Sequence, residues 1–277
     1  MIEYRINPYI INLIANIYSN ETTIISLGEM EKEIEINVGI KQGCTVSTTL
    51  FKIITYVIMN SIEEKGVEYE VENLKISSLF FADDGTLLTK TEQDAKKNLD
   101  IIIEASLKFG LVINKDKSNI LVYNNENITG KIEGIEIVNE IKYLGIQIND
   151  DRDIFKNQKK LIVERLKKYK LMTNKVIETS CNRLMLGKLY WKQIIMTKAL
   201  YGIGLMNINK KEVNEIQKIE NETYTMILRA REKTPLAALR GETGSSLVST
   251  RFIQSRIMLI HSILNGKNQF IKKYLRK

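Results

Sequence analysis

The stretch of sequence that decides the fold is residues 79–88, Leu-Phe-Phe-Ala-Asp-Asp-Gly-Thr-Leu-Leu. Two apolar runs flank Asp83, Asp84 and Gly85, and this pattern predicts a β-hairpin with both carboxylates at its tip. Carboxylate oxygens are the ligands that Mg²⁺ prefers, so the pair is a candidate metal site for phosphoryl transfer. Asp-Asp-Gly is also common in ordinary turns, so these residues alone leave both interpretations open.

A loop bracketed by glycines lies upstream, at residues 39–47, Gly-Ile-Lys-Gln-Gly-Cys-Thr-Val-Ser. Its glycines permit close backbone approach, and Lys41 and Gln42 can contact a phosphate or a base. Ser47 is predicted to cap a helix that ends at Gly66. A plain connection between a strand and a helix fits the same residues.

Helices and short strands alternate through the first 150 residues, which predicts an α+β fold. Asn7 and Pro8 start a helix that continues to about Ser19, and a third helix, after the one that ends at Gly66, is expected at residues 92–109. Alternating apolar residues and turn signals predict further short strands. These lie at residues 22–27, 32–38 (half-buried, paired with the preceding strand around Gly28), 111–114, 119–123 and in several β segments up to Ile148.

Beyond Asp150 the pattern becomes helical and the charge changes sign. Helical spacing occurs at residues 153–177, 183–200, 210–229 and 251–264. Residues 1–150 hold 14 Lys and Arg against 23 Asp and Glu, whereas residues 151–277 hold 27 against 10. A basic half of this kind favours contact with a polyanion, although uneven surface charge is an equal alternative. We place a domain boundary near Asp150.

Several classes of function are disfavoured by composition. Cys44 and Cys181 stand far apart, which argues against a zinc ribbon or a disulfide framework. His261 is the single histidine, so a catalytic site would depend on carboxylates, hydroxyls or lysine. Apolar runs such as residues 53–59 are too short to span a bilayer, and Met1 is not followed by a signal-like segment. We therefore expect an intracellular protein, cytoplasmic or nuclear, without a membrane partner.

Four ordered segments together resemble reverse transcriptases of non-LTR, LINE-like retrotransposons. Residues 39–51, 81–84, 110–117 and 143–145 are similar to the motifs called B, C, D and E of that family. The region from Trp191 to Gly244 is similar to the part that follows the palm in those elements. The resemblance implies an incomplete polymerase palm at residues 1–150, with a ferredoxin-like antiparallel sheet, and a basic, all-helical, thumb-like region at residues 151–277.

The resemblance also implies roles for individual residues. Asp83 and Asp84 would be the catalytic metal ligands for two Mg²⁺ ions, and Lys117 would protonate the departing pyrophosphate. The expected partners are an RNA template, a DNA primer and deoxynucleoside triphosphates. The remaining roles fall to three groups: Gln42, Gly43 and Ser47 in the pocket for template and nucleotide; Tyr143, Leu144 and Gly145 as primer grip; and Lys156, Lys159, Lys160, Lys167 and Lys168 on the nucleic-acid backbone.

The chain departs from the family pattern in two respects. Thr45 and Thr48 stand where motif B has prolines, which loosens the loop. The aspartate of motif A and the fingers, both expected upstream of the first helix, are not found in this sequence. We therefore expect weak or absent polymerase activity from this chain alone. A non-catalytic nucleic-acid-binding remnant is the alternative, and an α+β protein without a nucleic-acid role is a third.

Overall fold

A computed structural model describes residues 5–19, 21–36, 39–41, 43–71, 74–123, 130–178, 182–231 and 233–266. The chain forms two compact units, residues 1–113 and 114–277. Both units contain helices and strands, which agrees with the predicted α+β class.

The first unit contains three helices and three β-hairpins among its described residues. Asn7 caps the first helix, because its side chain accepts a hydrogen bond of 2.9 Å from the backbone N–H of Tyr9. Thr91 caps the third helix in the same way, because its side-chain hydroxyl accepts a hydrogen bond from the backbone N–H of Asp94. In chain order the elements are α1 (Pro8–Tyr18), β1 (Thr22–Leu27), β2 (Met30–Glu35), α2 (Thr45–Lys65), β3 (Tyr69–Val71), β4 (Leu74–Ile76), β5 (Ser78–Phe81), β6 (Asp84–Leu87) and α3 (Glu92–Leu107).

The core of this unit lies between α2 and α3. Its buried side chains are Ile58, Ile62, Ile102 and Ala105. The Asn98 side chain on α3 makes two hydrogen bonds with the backbone of Val67, which follows α2. Its amide oxygen accepts from the Val67 N–H at 2.7 Å, and its amide nitrogen donates to the Val67 carbonyl oxygen at 2.9 Å. By contrast, no residue of α1 is buried, and every residue of β1 and β2 is exposed.

The second unit contains short strands followed by helices. Its elements are β7 (Asn119–Leu121), β8 (Lys131–Ile132), β9 (Ile135–Val138), β10 (Glu140–Tyr143), β11 (Ile146–Asn149), α4 (Lys156–Glu178), α5 (Arg183–Leu189), α6 (Met196–Ala199), α7 (Lys210–Leu228), α8 (Leu236–Thr243) and α9 (Val248–Asn265). A π-helical turn, Tyr190–Ile195, joins α5 to α6, and a short 3₁₀ helix, Ile203–Leu205, follows α6.

One apolar core joins strand β11 of the second unit to its helices. Trp191 and Leu166 are fully buried in it, and Ile146 of β11 belongs to the same cluster. The side-chain oxygen of Gln158 on α4 accepts a hydrogen bond of 3.1 Å from the backbone N–H of Gln147. These contacts explain why the compact units divide at residues 113 and 114, before the predicted boundary at Asp150. The predicted boundary at Asp150 separates the palm from the thumb-like region, and this assignment of functional regions stays a prediction.

The strands pair only locally. Among the described residues they form four two-stranded antiparallel ladders and one three-stranded sheet, in which β9 pairs parallel to β7 and antiparallel to β8. A single ferredoxin-like sheet is therefore not formed by this part of the chain. The assignment of palm and thumb stays a prediction.

Several local expectations were wrong. Ser47 does not cap α2, which begins two residues earlier with Cys44 as N-cap. Residues 111–114 form no strand, because Leu111 and Ile113 pack against the α2–α3 core. The strand expected to be half-buried at residues 32–38 is represented by the exposed β2, residues 37 and 38 lie outside the described residues, and the helix α8 was not predicted.

Helix α2 is, among the described residues, the one helix whose length and composition would allow it to cross a bilayer. Its inner face packs on α3, where Ile58 and Ile62 are buried. Core helices of soluble proteins pass the same test, so composition is weak grounds for a membrane role. The expected absence of a membrane partner stays a prediction.

Candidate active site

The predicted hairpin is present and carries Asp83 and Asp84 at its tip. Phe81 of β5 pairs with Asp84 of β6, so Ala82 and Asp83 form a two-residue turn. Ala82 has φ +54°, a left-handed conformation that usually belongs to glycine. Strained backbone of this kind clusters at functional sites. Both aspartates are exposed, so their carboxylate oxygens are available to a ligand.

Phe80 fixes the hairpin to the body of the first unit. It lies opposite Gly85 in the ladder, and a Cβ atom at Gly85 would come within 2.7 Å of the Phe80 ring. The same ring packs against the α2–α3 core, together with Leu87. Because the ring occupies the space above Gly85, the register that places Asp83 in the turn is well defined.

The two aspartates are the acidic groups that this hairpin offers to a cation. Over the described ranges, no group of three or more His, Cys, Asp and Glu side chains is arranged to hold a metal ion. Mg²⁺ commonly binds through one or two carboxylates and completes its octahedron with water and substrate phosphates. The donor set of Asp83 and Asp84 fits that mode of binding.

The glycine-bracketed loop leads directly into α2. Gly39 has φ +111° and Gly43 has φ +83°, and a Cβ atom on either would meet nothing within 4 Å. Gln42 lies outside the described residues. The backbone N–H of Cys44 donates to the carbonyl oxygen of Lys41 at 3.3 Å, which closes a turn around Gly43.

Ser47 is 3% exposed, so it offers little surface to a ligand. Its Oγ lies 2.6 Å from the hydroxyl oxygen of Tyr18. Nearby, the backbone N–H groups of Ser47 and then Val46 lower the pKa of the Cys44 thiol below its ordinary value of 9.0. The Cys44 side chain makes no capping hydrogen bond, and the hydroxyls of Ser47 and Tyr18 add smaller contributions to that of the N–H groups at the N-terminal end of α2.

Lys117 and the predicted primer grip belong to the second unit. Lys117 is exposed in a turn, where its backbone N–H donates to Asn114. Residues 143–145 form the tip of the β10–β11 hairpin, with φ +46° at Leu144 and +83° at Gly145. Positive φ at both turn positions is typical of a type I′ turn, which suits a tight hairpin. The roles expected for these residues stay predictions.

The five lysines expected on the nucleic-acid backbone all lie on α4, and they divide into two groups. Three have acidic partners: Lys156 with Asp151, Lys159 with Asp153 at 2.7 Å, and Lys167 with Glu215 at 3.1 Å. The hydrogen bond from Lys156 lowers the pKa of Asp151 and raises that of Lys156 itself.

Lys160 and Lys168 are exposed and have no ion pair within the described part of the chain. The sequence suggested that acids were scarce around α4, but its neighbour α7 supplies some of them, such as Glu215. Lys160 and Lys168 are therefore the members of the group whose charge is best exposed to an external phosphate.

Two polar residues next to the loop were missed in the sequence. Tyr18 is the last residue of α1, and Glu21 lies in the short connection to β1. Their contacts with Ser47 and Lys41 are made by side chains more than 15 residues apart. No local sequence pattern predicts such pairs.

Comparison with known proteins agrees with the resemblance to reverse transcriptases. Residues 3–148, more than half of the chain, match the family described as reverse transcriptase (RNA-dependent DNA polymerase). Over 111 residues the chain is 28% identical to the retrovirus-related Pol polyprotein from type-1 retrotransposable element R2 of Bradysia coprophila. That match covers 40% of this chain and 13% of the relative. No solved structure matches. The family match, which includes the Asp83–Asp84 hairpin, shows that the chain belongs to the reverse transcriptase family.

Proposed function

We propose that this chain is part of a retrotransposon reverse transcriptase and that it contributes to copying an RNA template into DNA. The observation that carries the proposal is the exposed Asp83–Asp84 pair on a two-residue turn whose first residue, Ala82, has φ +54°. The family match and the name of the R2 relative support it. Deoxynucleoside triphosphates and a DNA primer are the further substrates.

Each group of candidate residues has a distinct proposed task. Asp83, with Asp84 beside it, would hold Mg²⁺, which supplies charge neutralisation for nucleotidyl transfer when it is bound. Lys117 would donate a proton to the leaving pyrophosphate, a general-acid role open to a positioned lysine. Residues 143–145 would contact the primer end. Lys160 and Lys168 would contact phosphates along the duplex without reading its sequence.

The loop of residues 39–47 would contact template and nucleotide mainly through its backbone. Gly43 has open space on its Cα, so a base or ribose can approach closely there. Ser47 is buried against Tyr18, and it therefore shapes the loop instead of touching the substrate. Gln42 is the side chain of this loop to which we assign a direct contact, by resemblance to motif B.

Primer extension on an RNA template with Mg²⁺ tests the proposal. The variant Asp83→Asn removes a negative charge from an exposed side chain, so the fold is retained. Metal-assisted stabilisation of the transition state is worth several kcal/mol, and we expect incorporation to fall at least roughly 100-fold. Asp100→Asn, an exposed aspartate on α3, is the matched control and is expected to keep wild-type activity.

The same experiment separates the two candidate functions. Weak synthesis by the wild-type chain that disappears in Asp83→Asn supports the enzyme. Absence of synthesis by both chains, with equal salt-sensitive binding of the template–primer, favours a non-catalytic remnant that still binds nucleic acid. Absence of salt-sensitive binding contradicts both functions. An intracellular location, nuclear or cytoplasmic, is part of the proposal and is tested by imaging the tagged chain.

A further inference from the structure

The end of α1 and the connection that follows it make two polar contacts with the loop of residues 39–47 and the first turn of α2. At one end of the loop, the Glu21 carboxylate lies 3.4 Å from the Lys41 ammonium nitrogen. At the other end, the Tyr18 hydroxyl oxygen lies 2.6 Å from Ser47 Oγ. In the sequence, the two contacts therefore flank Gly43 and Cys44.

Both contacts come from shielded groups. Ser47 is 3% exposed, and the Glu21 side chain is 10% exposed, whereas most of the surrounding β1–β2 hairpin faces solvent. The backbone of Glu21 is also fixed, because its carbonyl oxygen accepts a hydrogen bond of 2.8 Å from Ile36 at the base of that hairpin. An ion pair with a shielded, preoriented carboxylate is stronger than a fully exposed one.

Among its described residues, the loop is otherwise shaped by few contacts, such as the hydrogen bond from the Cys44 N–H to the Lys41 carbonyl oxygen. Gly39 and Gly43 have φ values that strain other residues, and no atom lies near the side of their Cα where a side chain would be. Thr45 and Thr48 stand where prolines would fix φ. A glycine-containing loop without packing on its own atoms takes its conformation from the contacts at its ends.

We infer that Tyr18 and Glu21 are positioning residues, which hold the loop of residues 39–47 in the conformation that admits template and nucleotide. The inference rests on the proposed function for the identity of the ligand. It adds two residues that act through Ser47 and Lys41 and that touch no substrate themselves.

Cys44 provides a reporter inside the loop. In a chain with Cys181→Ser it is the sole thiol, and its rate of alkylation by iodoacetamide as a function of pH gives its apparent pKa. The pKa is lowered by N–H groups of Ser47 and Val46, so it depends on how the loop enters α2. We expect Tyr18→Phe and Glu21→Gln to shift the profile upward, toward the ordinary value of 9.0.

Glu21→Gln is the stricter of the two variants, because Tyr18 also acts directly on the thiol whereas Glu21 does not. Tyr9→Phe on α1 and Glu33→Gln on β2 are matched controls, since both side chains are exposed, and they are expected to keep the wild-type profile. Circular dichroism verifies that every variant is folded. Wild-type profiles in both Tyr18→Phe and Glu21→Gln would overturn the inference.

A second measurement separates this inference from the proposed function. Template–primer, Mg²⁺ and the matching deoxynucleoside triphosphate are added before alkylation, and protection of Cys44 is followed against nucleotide concentration. We expect protection in the wild type, and a higher half-protecting concentration in Tyr18→Phe and Glu21→Gln. A shifted pH profile without protection in any chain would support the positioning contacts and contradict the proposed pocket. Protection at the same nucleotide concentration in all chains, with unshifted pH profiles, would support the proposed pocket and contradict the positioning contacts.

Discussion

The two compact units of this chain differ in how much apolar surface they bury. Among the described residues, the main core of the second unit has fourteen buried side chains, and that of the first unit has four. The first unit nevertheless carries the Asp83–Asp84 hairpin and the glycine loop. It also exposes apolar side chains along α1 and β1, with Tyr9 75% and Ile24 61% exposed.

This difference separates the main source of stability from the Asp83–Asp84 hairpin, where we propose that the metal binds. A hairpin tip and an open glycine loop need exposed polar groups and backbone, and neither contributes apolar area to a core. The second unit has Trp191 and Leu166 fully buried, and such packing provides most of the free energy of folding. We therefore expect substitutions of equal chemistry to have unequal effects in the two units.

A pair of leucine truncations gives the largest expected contrast. Leu166→Ala removes a fully buried side chain of α4, so we expect it to lower the free energy of unfolding by about 2–5 kcal/mol. Leu13→Ala makes the same change on α1, where the side chain is 50% exposed, and is expected to stay within about 0.5 kcal/mol. Urea unfolding followed by circular dichroism measures both, and Trp191 fluorescence reports the second unit. Equal losses would remove the distinction between the units.

The parts of this contrast that could be predicted from sequence are the local ones. The hairpin at residues 78–87 follows from two apolar runs around Asp83 and Asp84, and the start of α1 follows from Asn7 and Pro8. In both cases the deciding residues are neighbours in the chain, so periodicity and capping rules apply directly.

The parts that could not be predicted depend on distant residues. Ser47 looked like an N-cap, but its hydroxyl contacts Tyr18, 29 residues away. Residues 111–114 alternate like a strand, yet they pair with no strand in the described part of the chain, and Leu111 and Ile113 pack on α2 and α3. Strand β11 packs with the helices of the second unit through Ile146, which no local pattern indicates.

Buried and exposed acids offer a second way to test the difference between the units. Asp83 and Asp84 are exposed, whereas Glu220 on α7 is 1% exposed, with Arg251 2.8 Å away. Burial raises the pKa of Glu220, and the Arg251 guanidinium offsets this only in part. Trp191 and Tyr224 face the same carboxyl group, and burial raises the pKa of Tyr224 to about 12.

Because its pKa is raised on folding, Glu220 binds a proton more tightly in the folded chain than in the unfolded one. Its contribution to stability is fully present below the ordinary value of 4.5 and is lost as pH rises through the folded pKa. We expect Glu220→Gln to flatten the pH dependence of the unfolding free energy in that window, measured by urea titrations. Glu215→Gln, on the exposed face of α7, is the control. A profile for Glu220→Gln parallel to wild type would contradict the argument.

The smallest expected effects concern the lysines of α4. On this one helix, a lysine with an acidic partner can be compared with a lysine that has none in the described part of the chain. Lys167→Ala breaks an exposed ion pair with Glu215 and is expected to cost at most about 1 kcal/mol of stability. Lys168→Ala breaks no ion pair in the described part of the chain, so stability is expected to stay unchanged.

Binding of an RNA–DNA duplex is expected to rank these two variants in the opposite order. An exposed lysine that contacts a phosphate releases about one counterion, so Lys168→Ala should reduce the slope of log affinity against log salt by roughly 1. In Lys167→Ala the slope changes less, because Glu215 already neutralises that charge in the free protein. Titrations at several salt concentrations measure both slopes. If Lys167→Ala shows the larger change, the duplex displaces Glu215, and the paired lysines belong to the binding surface as well.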